Sequence, residues 1–277
     1  DAADGRLAGF EVLSLYDQGR TGWLEALRVH PQHRARGLGT TLQSALIALS
    51  RDRLGLTRVR YTTATGNFAS RRLAVKCGLA EVAAWGVLMP RRRVSVADVL
   101  ARVRCAHRKV TGGRRHRHAV GLAAQKSETP CVLSCHSAPE ELTVFARRHS
   151  QPFLLQSYWK AYDFTADNVD ELLTTHEPPL VLRRPEDGSI RSFSWAYEQR
   201  NSLGLTWFAT VYAGEISDTL LHLEAQLQRA EEAHADSAVL MYSPNLEPEL
   251  YRLGLAERCV AVPGAPERAA KHVLLFE

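Results

Sequence analysis

Between Arg34 and Thr40 the chain reads Arg34-Ala35-Arg36-Gly37-Leu38-Gly39-Thr40. Glycines let a backbone come close to an anion, and a helix start presents unpaired N–H groups with partial positive charge. Such a turn can wrap a pyrophosphate if a helix begins at its end. The same pattern also serves close packing at ordinary helix starts, so its context has to decide. Ahead of it stands Glu25, in Glu25-Ala26-Leu27-Arg28-Val29-His30-Pro31. A carboxylate there is a candidate general base, and a solvated hairpin glutamate is the equal alternative. Cys131-x-x-x-Cys135-His136 has ligand-type residues but no second pair at metal spacing, so a reduced core strand is expected and no metal.

The elements that must position these residues follow from periodicity. Residues 7 to 17 and 23 to 29 are β-rich runs around Asp17-Gln18-Gly19-Arg20-Thr21-Gly22, an expected antiparallel hairpin. Leu38, Leu42, Ala45, Leu46 and Leu49 follow helical spacing and end near Gly55. A strand from Arg58 to Thr63, a helix from Asn67 to Cys77 and a strand from Glu81 to Met89 complete the first set. Later come a short helix from Ser95 to about Arg108, a strand from Cys131 to Cys135, and a helix capped by Ser137 with Glu140 at capping-box spacing. Helices are expected at 166 to 174, 218 to 235 and 247 to 253, and strands at 180 to 184, 190 to 197, 205 to 212, 238 to 242 and 271 to 276.

The second half repeats the order of the first, and Gly78-Leu79-Ala80-Glu81 recurs as Gly254-Leu255-Ala256-Glu257 after the corresponding short helix. This predicts two copies of one fold. The second lacks the phosphate turn: Glu215 and Asp218 stand where a pyrophosphate would sit, and like charge opposes it.

The formal charge of +5 is concentrated. Residues 91 to 118 hold ten Lys or Arg against one acid, Asp98, a local +9 that leaves −4 for the remainder. No aromatic interleaving accompanies it, so a solvated linker is expected and nucleic-acid binding is not. No apolar run approaches the ~20 residues of a membrane span, and five scattered cysteines suit reduced thiols, which makes the cytoplasm the default. The chain begins at Asp1 without Met, in a turn just ahead of a strand, so elements preceding the first copy are expected to be missing.

With the strand, the turn Arg34 to Gly39, the amphipathic helix and the Asn67-to-Gly78 segment together, residues 7 to 89 resemble the acetyl-CoA-binding part of GNAT acetyltransferases, whose signature is Gln/Arg-x-x-Gly-x-Gly/Ala. The resemblance implies an α/β (α+β) fold of two tandem lobes, each a mixed, mostly antiparallel sheet flanked by helices, the first truncated at its N-terminus. It implies domains at 1–90 (acetyl-CoA-binding), 91–129 (basic linker with a short helix) and 130–277 (a degenerate lobe). By resemblance, backbone N–H groups of Ala35, Arg36, Gly37, Leu38, Gly39 and Thr40, following Arg34, hold the pyrophosphate. Backbone around Leu27 and Val29 pairs with the pantetheine, and Asn67 and Ser70 match the second family motif near the thiol. Glu25 occupies a position where many members carry a glutamate. Ala74 stands where members often place a tyrosine as general acid.

Glu25 to Pro31, and Leu155-Gln156-Ser157-Tyr158-Trp159-Lys160-Ala161-Tyr162 with Asp167 to Leu173, resemble the histidine N-acetyltransferase family and its uncharacterised relatives. That resemblance implies transfer of acetyl from acetyl-CoA to the α-amine of L-histidine or a related free amino acid, with Tyr158, Trp159 and Tyr162 lining a pocket for a flat ring. The alternatives are a GNAT enzyme acting on a protein or peptide amine, and a non-catalytic acetyl-CoA-binding protein.

Overall fold

Strands β1 (Gly9–Tyr16) and β2 (Thr21–Val29) pair antiparallel. They turn through Asp17, Gln18 and Gly19, all at positive φ. These are from a computed structural model, which describes residues 5–88, 94–112, 133–134, 138–149, 152–157, 160–202, 204–255 and 272–277. Helix α1 (Leu38–Asp52) then crosses to β3 (Arg58–Ala64), which runs parallel to β2. Helix α2 (Phe68–Lys76) follows, its first turn closed by the Asn67 side-chain oxygen accepting from the Ser70 N–H at 3.2 Å. Strand β4 (Glu81–Leu88) comes next.

The second part opens on α3 (Val96–Val110), held at its start by a capping box between Ser95 and Asp98. After it come α4 (Pro139–Arg148), β5 (Phe153–Ser157), β6 (Lys160–Asp163), α5 (Ala166–Thr175), β7 (Leu180–Arg183), β8 (Ile190–Asn201), β9 (Gly204–Tyr212), α6 (Ile216–Glu232), β10 (Ser237–Tyr242), α7 (Glu247–Arg252) and β11 (His272–Phe276). Two compact units result. One comprises Asp1–Ala84, Trp159–Tyr162 and Val273–Glu277, the other Trp85–Tyr158 and Asp163–His272.

Within the first unit, β11 runs antiparallel to β3, pairing Phe276 with Tyr61 and Val273 with Ala64. Glu277 and Ala80 exchange backbone hydrogen bonds at 2.9 Å. Leu24, Ile47, Val59, Tyr61, Ala74 and Phe276 form its core between sheet and helices. In the second unit β8 and β9 form the hairpin, β10 lies parallel to β9, and the end of β4 lies antiparallel to β10. Gly86 faces Tyr242 there, and any side chain at that position would overlap the tyrosine ring. The connection order of the first unit is therefore repeated, but each closing strand differs from the expected one: β11 completes the first unit, and β4 continues into the second.

Two further expectations change. The helix expected inside a basic linker, α3, buries Val96, Val99, Leu100 and Val103 against Leu220, Leu223 and Leu227 of α6. Its His107 and Arg104 both meet Glu224 on α6, at 2.9 and 3.1 Å. Arg102, Arg104 and Arg108, three of the arginines that raised the local charge, belong to an amphipathic core helix. Helix α4 begins one residue later than its capping-box spacing indicated: Ala138 is the N-cap, and Glu141 accepts its N–H at 3.2 Å. Residues 113–132 and 135–137, and with them Cys131, Cys135 and His136, lie outside the described residues.

Arg60 is, among the described residues, the one buried arginine or lysine of the first unit. Only 2% exposed, it sits 3.7 Å from Asp17, itself 1% exposed, and its Nε donates to the Glu277 carboxylate. Removing one partner of a buried pair leaves the other uncompensated in a poor solvent for charge. Arg60→Met is expected to destabilise the protein by ~3 kcal/mol in urea unfolding. Asp17→Asn on that background should recover part of the loss, and a double variant no more stable than Arg60→Met would show that Asp17 is held by something else.

Candidate functional site

The hydrogen-bond register of β2 defines the site. Val12 pairs with Glu25 and Phe10 with Arg28, so Ala26 and Leu27 together face Glu11 alone. This is a bulge, with Ala26 at φ 57°. A non-glycine residue in left-handed conformation is strained by ~1 kcal/mol or more and survives only where the surroundings enforce it. The bulge resets side-chain direction: Leu24 faces the helices before it, and Leu27 and Val29 face α1 after it, each 3.8 Å from where a Cβ on Gly39 would lie.

On the other edge, β2 pairs with β3 only from Thr21 to Trp23. Six more residues of β2, Leu24 to Val29, run on beside no parallel partner, while β3 from Tyr61 to Ala64 pairs with β11 on its far side. A slot of backbone donors and acceptors opens between the two strands. In the second unit β9 and β10 pair over five residues, Thr206 to Thr210, against three for β2 and β3.

The slot leads directly into the phosphate-type turn. Ala35 and Gly37 both take left-handed conformation, at φ 60° and 82°. Gly37 is the N-cap of α1 and carries no side-chain cap, and the first helical bond there is Thr41 N–H to the Gly37 carbonyl at 3.0 Å. The N–H groups of Leu38, Gly39 and Thr40 thus point out of the helix start with its positive dipole end behind them. Nothing lies within 4 Å of the place a Cβ would occupy on Gly37. Arg34 turns back, donating from Nε to the Val29 carbonyl at 3.1 Å, and so braces turn to strand. Arg36 is exposed and meets no acid among the described residues. An alternation of left-handed residues at a helix N-terminus is an anion-binding concavity, and the residues fit a pyrophosphate. The α6 start has Glu215 and Asp218 instead, both held by Arg191 at 2.8 Å.

Glu25 lies on the face of β2 turned away from α1, half-buried, with Ser14 Oγ donating to its Oε1 at 2.5 Å. That leaves Oε2 open among the described residues. Ser14 went unnoticed in the sequence, although alternation on a hairpin would have put it on Glu25's face. Tyr16 and Trp23 share this face, edge to face at 6.2 Å. Of the expected aromatic pocket, Tyr162 stands edge-on to Tyr16 at 5.6 Å and is buried. Tyr158 and Trp159 lie outside the described residues. Lys160, which sequence reasoning passed over, donates from Nζ to the Tyr16 hydroxyl.

Asn67 uses its side-chain oxygen as the α2 cap, and the Ser70 carbonyl accepts from the Tyr61 hydroxyl at 2.7 Å. Ala74 is fully buried in the core, as a small residue under the sheet. Cys77 sits 3.5 Å from Ser44 Oγ in a packed, half-buried position. Elsewhere, burial holds His222 neutral, with its pKa pushed down to about 3, between Ser192 and Ser194 at 3.0 Å each. That network is satisfied within the second unit. Among the described residues no three His, Cys, Asp or Glu side chains gather as a metal site, and no helix is long and apolar enough to cross a membrane.

With this geometry in view, the chain was compared with known proteins. Residues 1–79 match the family described as Acetyltransferase (GNAT) family. No curated protein matches the chain. The chain is similar to the GCN5-related N-acetyltransferase from Sphaerobacter thermophilus, with 13% identity and a TM-score of 0.53 over 99% of this chain and 78% of that one. It is also similar to the GCN5-related glucosamine N-acetyltransferase region of a fungal multi-domain GH3 β-N-acetylglucosaminidase, at 12% identity and a TM-score of 0.53, over 99% of this chain and 32% of that one. The fold is that of the GNAT superfamily, a mixed α/β arrangement with two sheet regions flanked by helices. Residues 1–79, which hold the bulge, the slot and the turn, are the part that matches that family.

The bulge also buries an acid. Glu11 sits opposite Ala26 and Leu27 with Oε2 buried and no hydrogen-bond partner, and burial pushes its pKa up to about 7. A carboxyl whose folded pKa lies above its unfolded value contributes stability below about pH 4.5 that is lost as pH rises toward 7. Glu11→Gln is therefore expected to match the wild type in thermal unfolding at pH 4.5 and to exceed it at pH 8. A constant difference across that range would mean the carboxyl does not titrate there.

Proposed function

We propose that this protein is an acetyl-CoA-dependent N-acetyltransferase acting on a small-molecule amine, with the α-amine of L-histidine as the acceptor to test first. The observation that carries the reading is the open edge of β2 from Leu24 to Val29, running straight into the left-handed turn at Ala35 and Gly37. A pantetheine has two amides and needs a strand edge to pair with, and a pyrophosphate needs the helix start that follows. Both are present in that order in the first unit, and among the described residues the second unit has acids at the corresponding helix start. Backbone at Leu27 and Val29 would take the pantetheine, and N–H groups from Ala35 to Thr40 the phosphates. Acetyl-CoA, when bound, supplies an activated acyl group at the slot.

The chain's own part in the reaction centres on Glu25. An amine attacks only when neutral, so its ammonium proton must leave first. Glu25 Oε2 accepts it, while Ser14 fixes the carboxylate from the other oxygen. With Ala74 in place of a tyrosine, no α2 side chain protonates the departing thiolate. A thiol pKa of about 8.5 makes unassisted departure workable near neutral pH.

The histidine assignment rests on the resemblance of residues 25–31 and 155–173 and on the aromatic side chain of Tyr162. A peptide acceptor is the second reading. CoA release measured with L-histidine, other free amino acids and short peptides tests the proposal. Glu25→Gln is expected to lower kcat by ~10²-fold or more with little change in acetyl-CoA affinity. Unchanged turnover would remove Glu25 as the base, and absence of acetyl-CoA binding would overturn the enzyme reading. Gly37→Val, forcing a branched residue to φ 82°, should weaken acetyl-CoA binding at least tenfold in calorimetry.

A further inference from the structure

Lys160 is a half-buried lysine whose ammonium lies 4.4 Å from the centre of the Tyr16 ring and donates to the Tyr16 hydroxyl. Among the described residues it meets no carboxylate. A partly desolvated ammonium satisfied only by a ring face and a neutral phenol lacks the anion that its surroundings favour. It belongs to the first unit with Tyr16, Trp23 and Tyr162, on the face of the β1–β2 hairpin that also carries Glu25.

The company on that face says which group fits. The Glu25 carboxylate is pinned at Ser14, and the Lys160 ammonium at Tyr16. Ser14 and Tyr16 are alternate residues of one strand, so both groups belong to the same side of the hairpin. A molecule that gives an amine to Glu25 and also carries a carboxylate brings the lysine its missing anion on that side. A polyamine or an amino sugar brings no anion to the lysine.

Resting on the acetyltransferase reading above, we propose that Lys160 binds the acceptor's carboxylate, and that the acceptor is therefore an amino acid with its carboxylate free. Tyr16 holds the ammonium over the site and yields its hydrogen bond to the carboxylate when the acceptor arrives. Lys160 thus acts as a specificity-determining residue and takes no proton in the reaction.

The test uses matched pairs with and without the acid group: L-histidine and histamine, L-phenylalanine and phenethylamine. CoA release should favour the amino acid of at least one pair by 100-fold or more in kcat/KM. Lys160→Met should raise KM for that amino acid at least tenfold with kcat little changed, leave the decarboxylated partner as it was, and leave acetyl-CoA binding intact. Lys160→Arg should restore part of the loss, which a merely structural role for the lysine would not predict. Equal use of both members of each pair, or turnover confined to spermidine or peptides, would overturn the proposal. If no amine supports CoA release, the acetyltransferase reading fails, and the lysine is then judged by equilibrium binding. L-histidine binding no tighter than histamine, or unchanged in Lys160→Met, would overturn the carboxylate site on its own.

Discussion

Every backbone N–H and C=O in a sheet must find a partner, and β2 meets that demand on one edge only. Its outer edge is satisfied by β1 along its length, while its inner edge is satisfied by β3 for three residues and then left open. A single extra residue at Ala26 accompanies this. Because the bulge turns Leu27 and Val29 toward α1, that helix packs on the strand at the level of Gly39 with its N-terminal turn beside the open edge. The open edge, the left-handed turn beside it and the placing of Leu24, Leu27 and Val29 on one side with Glu25 on the other meet at one break in a two-residue period.

The second unit shows the same connections without that break. Its parallel pair is hydrogen-bonded over five residues against three in the first unit, acids occupy the helix start, and His222 is held inside between Ser192 and Ser194. Two copies of one topology can therefore differ in whether a ligand fits by a few backbone hydrogen bonds. The rest of the hydrophobic packing can stay comparable.

Much of this was legible in the sequence because it is local. Alternation fixed the hairpin, helical spacing fixed α1, and the Arg34-to-Gly39 turn announced itself by its glycines. Glu25 was visible as a carboxylate, but Ser14 beside it required the register, which depends on a bulge at an alanine that no residue type signals. Lys160 and Tyr16 are 144 positions apart, and no periodicity links them. The exchange of closing strands was also invisible, since β4 and β11 read as equivalent apolar runs. Which sheet an apolar strand joins is settled by packing over long separations. The basic segment misled for a related reason: a charge count hides the apolar stripe of α3 that decides where that helix sits.

Strand β11 and its Glu277 lie 217 residues beyond Arg60, the arginine they meet. During synthesis the first unit's sheet is complete through β3 and still lacks its neighbour until nearly all of the second unit has emerged. Until then Arg60 has one of its two carboxylates, and the edge of β3 from Tyr61 to Ala64 is a bare row of apolar and hydroxyl residues. Contacts of such separation form late, because loop closure must come before the gain. The first unit, opened by β1, thus gains β11 only after the strands and helices of the second unit have been made.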